Sequence, residues 1–245
     1  MIASKSWIWA DWPAPDHICA GTSIRQGGFS QGQFSYLNLA THVGDNKNNV
    51  LKNRAYLAQQ LSLSSEPNWL NQAHGNCIIN LDKNTGNITA DGSYSTNKNR
   101  ICVILTADCV PLLFCNKAGT KIAAIHAGWK GLCGGILENA CRLYPNPSEV
   151  MVWIGPCISK KNYEVGNDVY QTCIKHLQAT SDAFTQTNTE HWQCDLVSIV
   201  KIILKNNHIG AIYECELCTY EEEALFYSYR RDGVTGRTAS MIWMD

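Results

Sequence analysis

The sequence has no hydrophobic run long enough to cross a bilayer and no excess of charge of one sign. Its longest apolar stretch, residues 101–115, is interrupted by Asp108 and Pro111, whereas a membrane-spanning helix needs about 20 apolar residues. The sequence has 20 Lys and Arg residues and 21 Asp and Glu residues, which gives a net charge of −1. We therefore expect no membrane partner, and no nucleic-acid partner attracted by a general positive field.

The chain also lacks an apolar secretory segment in residues 1–7, so we expect a cytoplasmic protein, and no protein partner is predicted. There is no linker rich in Pro, Gly or Ser, no charge block and no repeat of fixed period. We expect residues 1–245 to form one domain. Residues 84–100, rich in Asn, Thr, Ser and Gly, are predicted to form a long surface loop with some strand content.

Cysteine is abundant, with 12 residues. Because no secretory signal is present, the expected compartment favours reduced thiols, most of them packing residues. Cys215 and Cys218 form a Cys-x-x-Cys pair, but no second pair completes a four-ligand zinc set. The role of this pair is left open.

Hydrophobic periodicity predicts both strands and helices. Apolar runs at 101–106, 121–126 and 149–154 are typical of strands covered on both faces. Helices are predicted over 49–61, over 131–144, and from an Asp195 N-cap to about residue 206. The first helix places Arg54 on its apolar face, where a charge needs a partner or a ligand. Near the end, Arg230 and Arg231 are predicted on a strand and so on opposite faces, followed by a turn at 235–237 and a strand over 238–243.

Two histidines and a cysteine lie near predicted strand ends, and each histidine has a glycine one or two residues after it. His74 is followed by Gly75, His126 is followed by Gly128, and Cys109 follows a predicted strand. Three such ligands leave one zinc position open for water or substrate, as in catalytic sites. The alternative is that these residues are buried core side chains without a ligand.

A larger set of ordered short motifs resembles the laccase-domain family, also called the polyphenol oxidase or purine nucleoside phosphorylase family. The resemblance covers almost the whole chain and departs from the family pattern only modestly, as at Lys130, where arginine is more usual. The motifs begin at residues 22–28, 37–39, 44–45, 53–54 and 72–75, and continue at 107–111, 126–131, 155–158, 163–166, 218–219 and 228–231.

The resemblance implies an α+β fold in which mixed β-sheets pack centrally with flanking helices. It implies zinc, with copper as the alternative metal, bound by His74, Cys109 and His126. It implies a catalytic site in which Cys109 is joined by polar residues, namely Arg25, Asn38 and Asp108.

The implied substrates are purine nucleosides and phosphate. The implied reactions are phosphorolysis of adenosine, guanosine, inosine or methylthioadenosine, and deamination of adenosine. Asp108, beside Cys109, is a candidate to orient a histidine or to move a proton. Arg25, with one of Arg230 and Arg231, is the candidate clamp for phosphate.

Three other readings are compatible with these residues. Two histidines and a cysteine also form the core of a blue-copper site, although the seven histidines of the chain are few for a multicopper oxidase acting on phenols. Cys109 with a histidine base would make a cysteine-type hydrolase of amides, such as those of cell-wall precursors. The third reading is a binding module in which the metal is purely structural.

Overall fold

The computed structural model describes residues 6–83, 86 and 88–245, so part of the loop predicted at 84–100 lies outside the described residues. The strands are β1 (Trp7–Trp9), β2 (Ile18–Ser23), β3 (Ile78–Asn80), β4 (Gly92–Ser95), β5 (Cys102–Thr106), β6 (Val110–Asn116), β7 (Ile122–Ala127), β8 (Val150–Ile154), β9 (Glu164–Gly166), β10 (Phe184–Gln186), β11 (His191–Cys194), β12 (Ala211–Glu214) and β13 (Thr238–Met244). The α-helices are α1 (Lys47–Gln60), α2 (Trp129–Cys133), α3 (Ile136–Cys141), α4 (Asn167–His176), α5 (Leu196–Asn206) and α6 (Tyr229–Asp232). Short 3-10 helices lie at Gly32–Phe34, Pro147–Glu149, Lys160–Asn162 and Gln178–Ala183.

The strands form one mixed sheet and two antiparallel ones. The six-stranded sheet has the order β12-β8-β6-β7-β4-β3 and is parallel at both ends and antiparallel between. The four-stranded sheet, β1-β2-β13-β5, and the three-stranded sheet, β10-β11-β9, are antiparallel throughout. The predicted α+β class is therefore confirmed.

Alternation along the strands shows how the layers pack. On β6, Leu112 and Phe114 face a core shared with helices α3, α4 and α5, whereas Leu113 and Cys115 face a second core shared with β2, β5 and β13. A third cluster packs the other face of the four-stranded sheet against α1. The two large sheets are thus central and the helices lie outside. Strands β5, β7 and β8 are buried along their length, as the apolar runs at 101–106, 121–126 and 149–154 predict.

Two predicted helices are confirmed, one of them with its predicted cap. The Asp195 side chain accepts a hydrogen bond from the backbone N–H of Ser198 at 2.9 Å at the start of α5, and Asn46 caps α1 in the same way. On α1, the Arg54 guanidinium donates to the Leu39 carbonyl at 2.8 and 3.0 Å and stacks over Trp69. The charge predicted on the apolar face of this helix is therefore balanced by a backbone carbonyl and an indole ring.

Two local predictions are wrong. The helix predicted over 131–144 is two short helices, α2 and α3, because Gly135 takes a left-handed conformation with φ +85° between them. Arg230 and Arg231 lie in the short helix α6 rather than on a strand, with the Ser228 hydroxyl capping its first turn. The apolar residues around the two arginines resemble a strand pattern, but the cap formed by Ser228 favours a helical backbone here.

The expectation of reduced thiols fails at one place, because Cys133 and Cys173 form a disulfide. Their Cα atoms are 5.2 Å apart, since α2 packs against α4. The compartment argument cannot detect a pair of cysteines that only the fold brings together. The other ten cysteines, including Cys215 and Cys218, are free.

Among the described residues, no helix is both long and apolar enough to span a membrane.

Candidate metal centre and its cavity

His74, Cys109 and His126 come together at one edge of the sheets. Their ligand atoms all lie within 4.8 Å of one another, and the two imidazole rings are nearly perpendicular with centroids 4.7 Å apart. His126 is near the end of β7, Cys109 lies between β5 and β6, and His74 lies in the loop before β3. His126 is buried, Cys109 is half-buried and His74 is exposed, so the cluster opens to solvent on one side.

The His74 loop is held in an unusual backbone conformation. His74 has φ +57°, a left-handed conformation that costs a non-glycine residue about 1 kcal/mol. Gln72 ties the loop to β5, because its side-chain amide exchanges two hydrogen bonds with the backbone of Leu105 at 2.7 and 2.8 Å. The imidazole is therefore carried by a strained but anchored turn.

A buried carboxylate that the sequence analysis did not identify, Asp91, contacts two of the three ligand residues. One of its oxygens accepts from His126 Nδ1 at 2.8 Å and from the His74 backbone N–H at 2.8 Å. Its other oxygen accepts from the N–H groups of Ala73 and Gly75 at 3.2 and 2.7 Å. Since a carboxylate only accepts, Nδ1 of His126 carries the proton and Nε2 remains available to a metal.

The cluster shifts the pKa of its own members. Burial alone would raise the pKa of the Cys109 thiol, but hydrogen bonds and charge from His126, and then from His74, outweigh it and lower the pKa to about 6. Burial would lower the pKa of His126, but its bonds to Asp91 and Cys109 raise it above the ordinary value. The thiolate, which is the form that binds metals, is therefore the stable form of Cys109 at neutral pH.

The three residues line a cavity of about 790 Å³. Its wall carries three aromatic rings, those of Trp129, Tyr163 and Tyr229, and two cations, Arg230 and Arg237. The Arg230 guanidinium lies over the Tyr163 ring at 5.0 Å, and that of Arg237 over the Tyr229 ring at 5.9 Å. The cavity thus combines flat apolar surfaces with positive charge.

Of the predicted polar residues, Asp108 lies on the cavity wall and Asn38 does not. Asp108 lines the cavity, but its carboxylate accepts from the Thr219 hydroxyl and the Arg230 backbone N–H, each at 2.7 Å. The carboxylate hydrogen-bonded to His126 is that of Asp91 and not that of Asp108. Asn38 is fully buried and accepts from the Arg237 backbone N–H at 3.0 Å, so it positions the backbone of Arg237.

The predicted arginines separate into two groups. Arg230 lines the cavity, whereas Arg25 and Arg231 are absent from its wall. The Arg25 guanidinium donates to the carbonyls of Ser35 and Glu223, and Arg231 donates to the carbonyls of Thr219, Tyr220 and Phe226. The structure therefore does not bring Arg25 or Arg231 to the cavity.

Three residues of the site were missed by sequence reasoning. Arg237 was seen only as part of a turn before the last strand, and Asp91 only as part of a loop. His42 lies three residues before Asp45 in a segment whose Gly44 and Asp45 were noted. Burial lowers the pKa of His42, and the nearby charges of Arg237, Arg54 and His74 lower it further, so it faces the cavity as a neutral imidazole.

The donor set fits a metal ion. Two imidazoles and one thiolate converge, one imidazole is fixed by a carboxylate on its far nitrogen, and the open side faces the cavity. Nitrogen and sulfur donors of this kind suit zinc and copper. The fold and the site together define an α+β protein in which two histidines and a cysteine form a candidate three-ligand metal site on the wall of a cavity that also carries aromatic rings and two arginines.

Comparison with known proteins agrees with this class. The family model described as multi-copper polyphenol oxidoreductase laccase matches residues 19–245. The chain is 40% identical over 235 residues to the protein named purine nucleoside phosphorylase YfiH of Escherichia coli, covering 95% of this chain and 96% of that one. It is 38% identical over 242 residues to purine nucleoside phosphorylase PA4543 of Pseudomonas aeruginosa, covering 98% and 99%. The chain belongs to this laccase-domain family.

Solved structures show the same fold. Protein NMB0706 of Neisseria meningitidis superposes with a TM-score of 0.93 at 41% identity, covering 98% of this chain and 100% of that one. YlmD of Geobacillus stearothermophilus superposes with a TM-score of 0.91 at 29% identity, covering 100% and 98%.

Proposed function

We propose that this protein is a zinc-dependent purine nucleoside phosphorylase with its active site in the cavity above His74, Cys109 and His126. The observation that carries the proposal is the opening of this ligand cluster into a cavity of about 790 Å³ that also presents two arginines. Relatives at 40% and 38% identity carry the name purine nucleoside phosphorylase. The cavity volume lies in the range typical of small-molecule sites.

The aromatic rings suit the base of a nucleoside. A purine presents two flat faces, which stack on aromatic side chains in offset or edge-to-face geometry. Trp129, Tyr163 and Tyr229 supply such surfaces around one cavity. Gln72 and the neutral His42 add hydrogen-bonding groups to the same wall.

The two arginines suit phosphate. The Arg230 guanidinium is fixed by a hydrogen bond to the Glu164 carbonyl at 2.8 Å, and that of Arg237 by bonds to the carbonyls of Thr235 and Gly236 at 2.8 and 2.9 Å. Fixed guanidinium groups bind phosphate oxygens with charge-assisted bonds. Phosphorolysis joins a phosphate oxygen to C1′ of the ribose as the bond from C1′ to the base nitrogen breaks, so phosphate must be held close to the sugar.

The metal and the second reaction complete the proposal. A zinc ion at this site would supply a Lewis acid and a water acidified to a pKa of about 7. Deamination of adenosine to inosine is proposed as a second activity of the same cavity; in this reaction the oxygen of water bonds to C6 and the amino group leaves as ammonia. Adenosine, guanosine, inosine and methylthioadenosine are the proposed phosphorolysis substrates.

The test is chromatography of adenosine incubated with protein of measured metal content, with and without phosphate. We expect adenine only with phosphate, inosine in both cases, and loss of both products in Cys109→Ala. No turnover by protein with one zinc per chain would overturn the proposed function and leave the metal site standing.

One observation favours a second candidate, a cysteine-type amide hydrolase. Cys109 has a lowered pKa beside His126, and His126 is held by Asp91, which is the arrangement of nucleophile, base and orienting acid. Metal content separates the candidates. Zinc would inhibit a cysteine nucleophile, so activity that rises on chelation supports the hydrolase, and activity that falls supports the phosphorylase.

A multicopper oxidase is not favoured, although the family description names one. Such an enzyme needs a three-copper cluster besides a mononuclear centre. In the part of the chain that the structure describes, His74, Cys109 and His126 are the only group of at least three candidate ligands.

A further inference from the structure

We propose that Asp91 is the positioning residue of the metal centre and sets its metal affinity by holding two of the three ligands at once. The inference rests on the metal site of the proposed function but not on its substrate. It concerns a residue that is neither one of the three candidate ligands nor part of the cavity wall.

The first part of the argument is the occupation of both carboxylate oxygens. Asp91 is 1% exposed, and four donors converge on it: the Nδ1 of His126 and the backbone N–H groups of Ala73, His74 and Gly75, at 2.7 to 3.2 Å. Three successive backbone N–H groups around one anion form a nest. Only an ionised carboxylate satisfies all four donors, because the side-chain amide of asparagine would place a donor against one pair of them.

The second part is what these bonds fix. The bond to His126 selects the imidazole tautomer whose Nε2 is available, and it sets the rotation of the ring. The bonds to residues 73–75 hold His74 at φ +57°, a conformation that the loop would otherwise leave. One carboxylate therefore orients a buried ligand directly and an exposed ligand through the backbone.

The third part of the argument is how the sheet places the Asp91 carboxylate beside His126. Asp91 directly precedes β4, whose Gly92 pairs with Ile125 of β7, and the Asp91 carbonyl accepts from the His126 backbone N–H at 2.7 Å. A side chain at position 92 would come within 2.6 Å of Ile125 Cδ1. The pairing of β4 with β7, continued by this backbone bond, thus brings Asp91 beside His126.

The test compares zinc affinity in wild type, Asp91→Asn and Asp82→Asn by competition with a chromophoric chelator. Asp82 is a matched control, because its carboxylate also accepts backbone and hydroxyl donors, from Thr96, away from the cavity. We expect zinc binding to weaken about 10- to 100-fold in Asp91→Asn, the range for groups that orient metal ligands, and to change little in Asp82→Asn. The absorption of bound Co²⁺ should also change in Asp91→Asn, since the imidazole is no longer fixed.

Two results would overturn the inference. One is equal zinc affinity and an unchanged Co²⁺ spectrum in wild type and Asp91→Asn, even if the variant unfolds more easily. The other is a wild type that binds no zinc. Absence of nucleoside turnover in protein whose zinc affinity depends on Asp91 would instead overturn the proposed function alone.

Discussion

The backbone of Gly128 lies so close to Cys109 that a Cβ atom at this position would be 2.9 Å from the Cys109 sulfur and 3.5 Å from His74 Cδ2. Real Cβ atoms essentially never come within 3.0 Å of another heavy atom. Gly128 is therefore required by the space beside the ligands and not by its backbone conformation, which is extended at φ −80°.

Gly128→Ala should weaken zinc binding by about 10- to 100-fold, because an extra methyl group in a packed site costs about 1–3 kcal/mol and each 1.4 kcal/mol is tenfold in affinity. The measurement is zinc affinity by chelator competition. An unfolding transition like that of wild type would show that the effect is local. Unchanged affinity would show that the metal does not need Cys109 in this position.

Cys109 should react as a thiolate at neutral pH. Because the folded pKa is about 6 and the ordinary thiol value is 9.0, the alkylation rate of metal-free protein should rise with pH through about 6 and be level above 7. Mass mapping after iodoacetamide treatment at a series of pH values measures this rate. Cys19, whose pKa burial and Asp245 raise to about 12, is the control that should stay slow across this range, and zinc should protect Cys109. A midpoint near 9 for Cys109 would contradict the arrangement.

Arg237→Ala and Arg230→Ala should raise the KM for phosphate by about 10- to 100-fold, since each loses charge-assisted bonds worth about 1.5–3 kcal/mol. The steady-state rate of adenosine phosphorolysis at varied phosphate gives this constant. Arg25→Ala is the matched control, because Arg25 binds backbone carbonyls and is absent from the cavity wall. A larger effect in Arg25→Ala than in Arg237→Ala would reverse the assignment.

The disulfide between Cys133 and Cys173 closes a loop with a sequence separation of 40. Its loss in Cys173→Ser should lower the free energy of unfolding by up to about 4 kcal/mol on chain-entropy grounds. Denaturant unfolding with and without a reductant measures this difference, and the reductant should have no effect on the variant. Thiol titration of denatured wild type should count 10 thiols, and a count of 12 would contradict the pairing.

Much of the architecture is readable from local patterns. The apolar runs of β5, β7 and β8 and the cap at Asp195 each depend on neighbouring residues along the chain. The pattern of apolar residues in a strand and the cap of a helix both depend on residues close together in the chain, so they can be recognised from the sequence. The short helix α6 and the break at Gly135 were missed because a single glycine or serine decided them against the surrounding pattern.

The ligands could also be anticipated, since His74, Cys109 and His126 are the types that bind zinc and each is near a glycine or a strand end. Their supports could not. Asp91 is 17 residues from His74 and 35 from His126 along the chain, and nothing local distinguishes it from other acids in loops. The same holds for Arg237, which reaches the cavity only because β13 lies between β2 and β5.

The sequence by itself determined the residue types of the site, the burial of its strands and the membership of a family. Only the tertiary structure decided which carboxylate orients His126, which arginines line the cavity and which cysteines pair. The reason is physical. Hydrophobic pattern and caps act between neighbours in the chain, whereas a hydrogen bond, an ion pair or a disulfide depends on distances set by the packing of sheets whose residues are far apart in sequence.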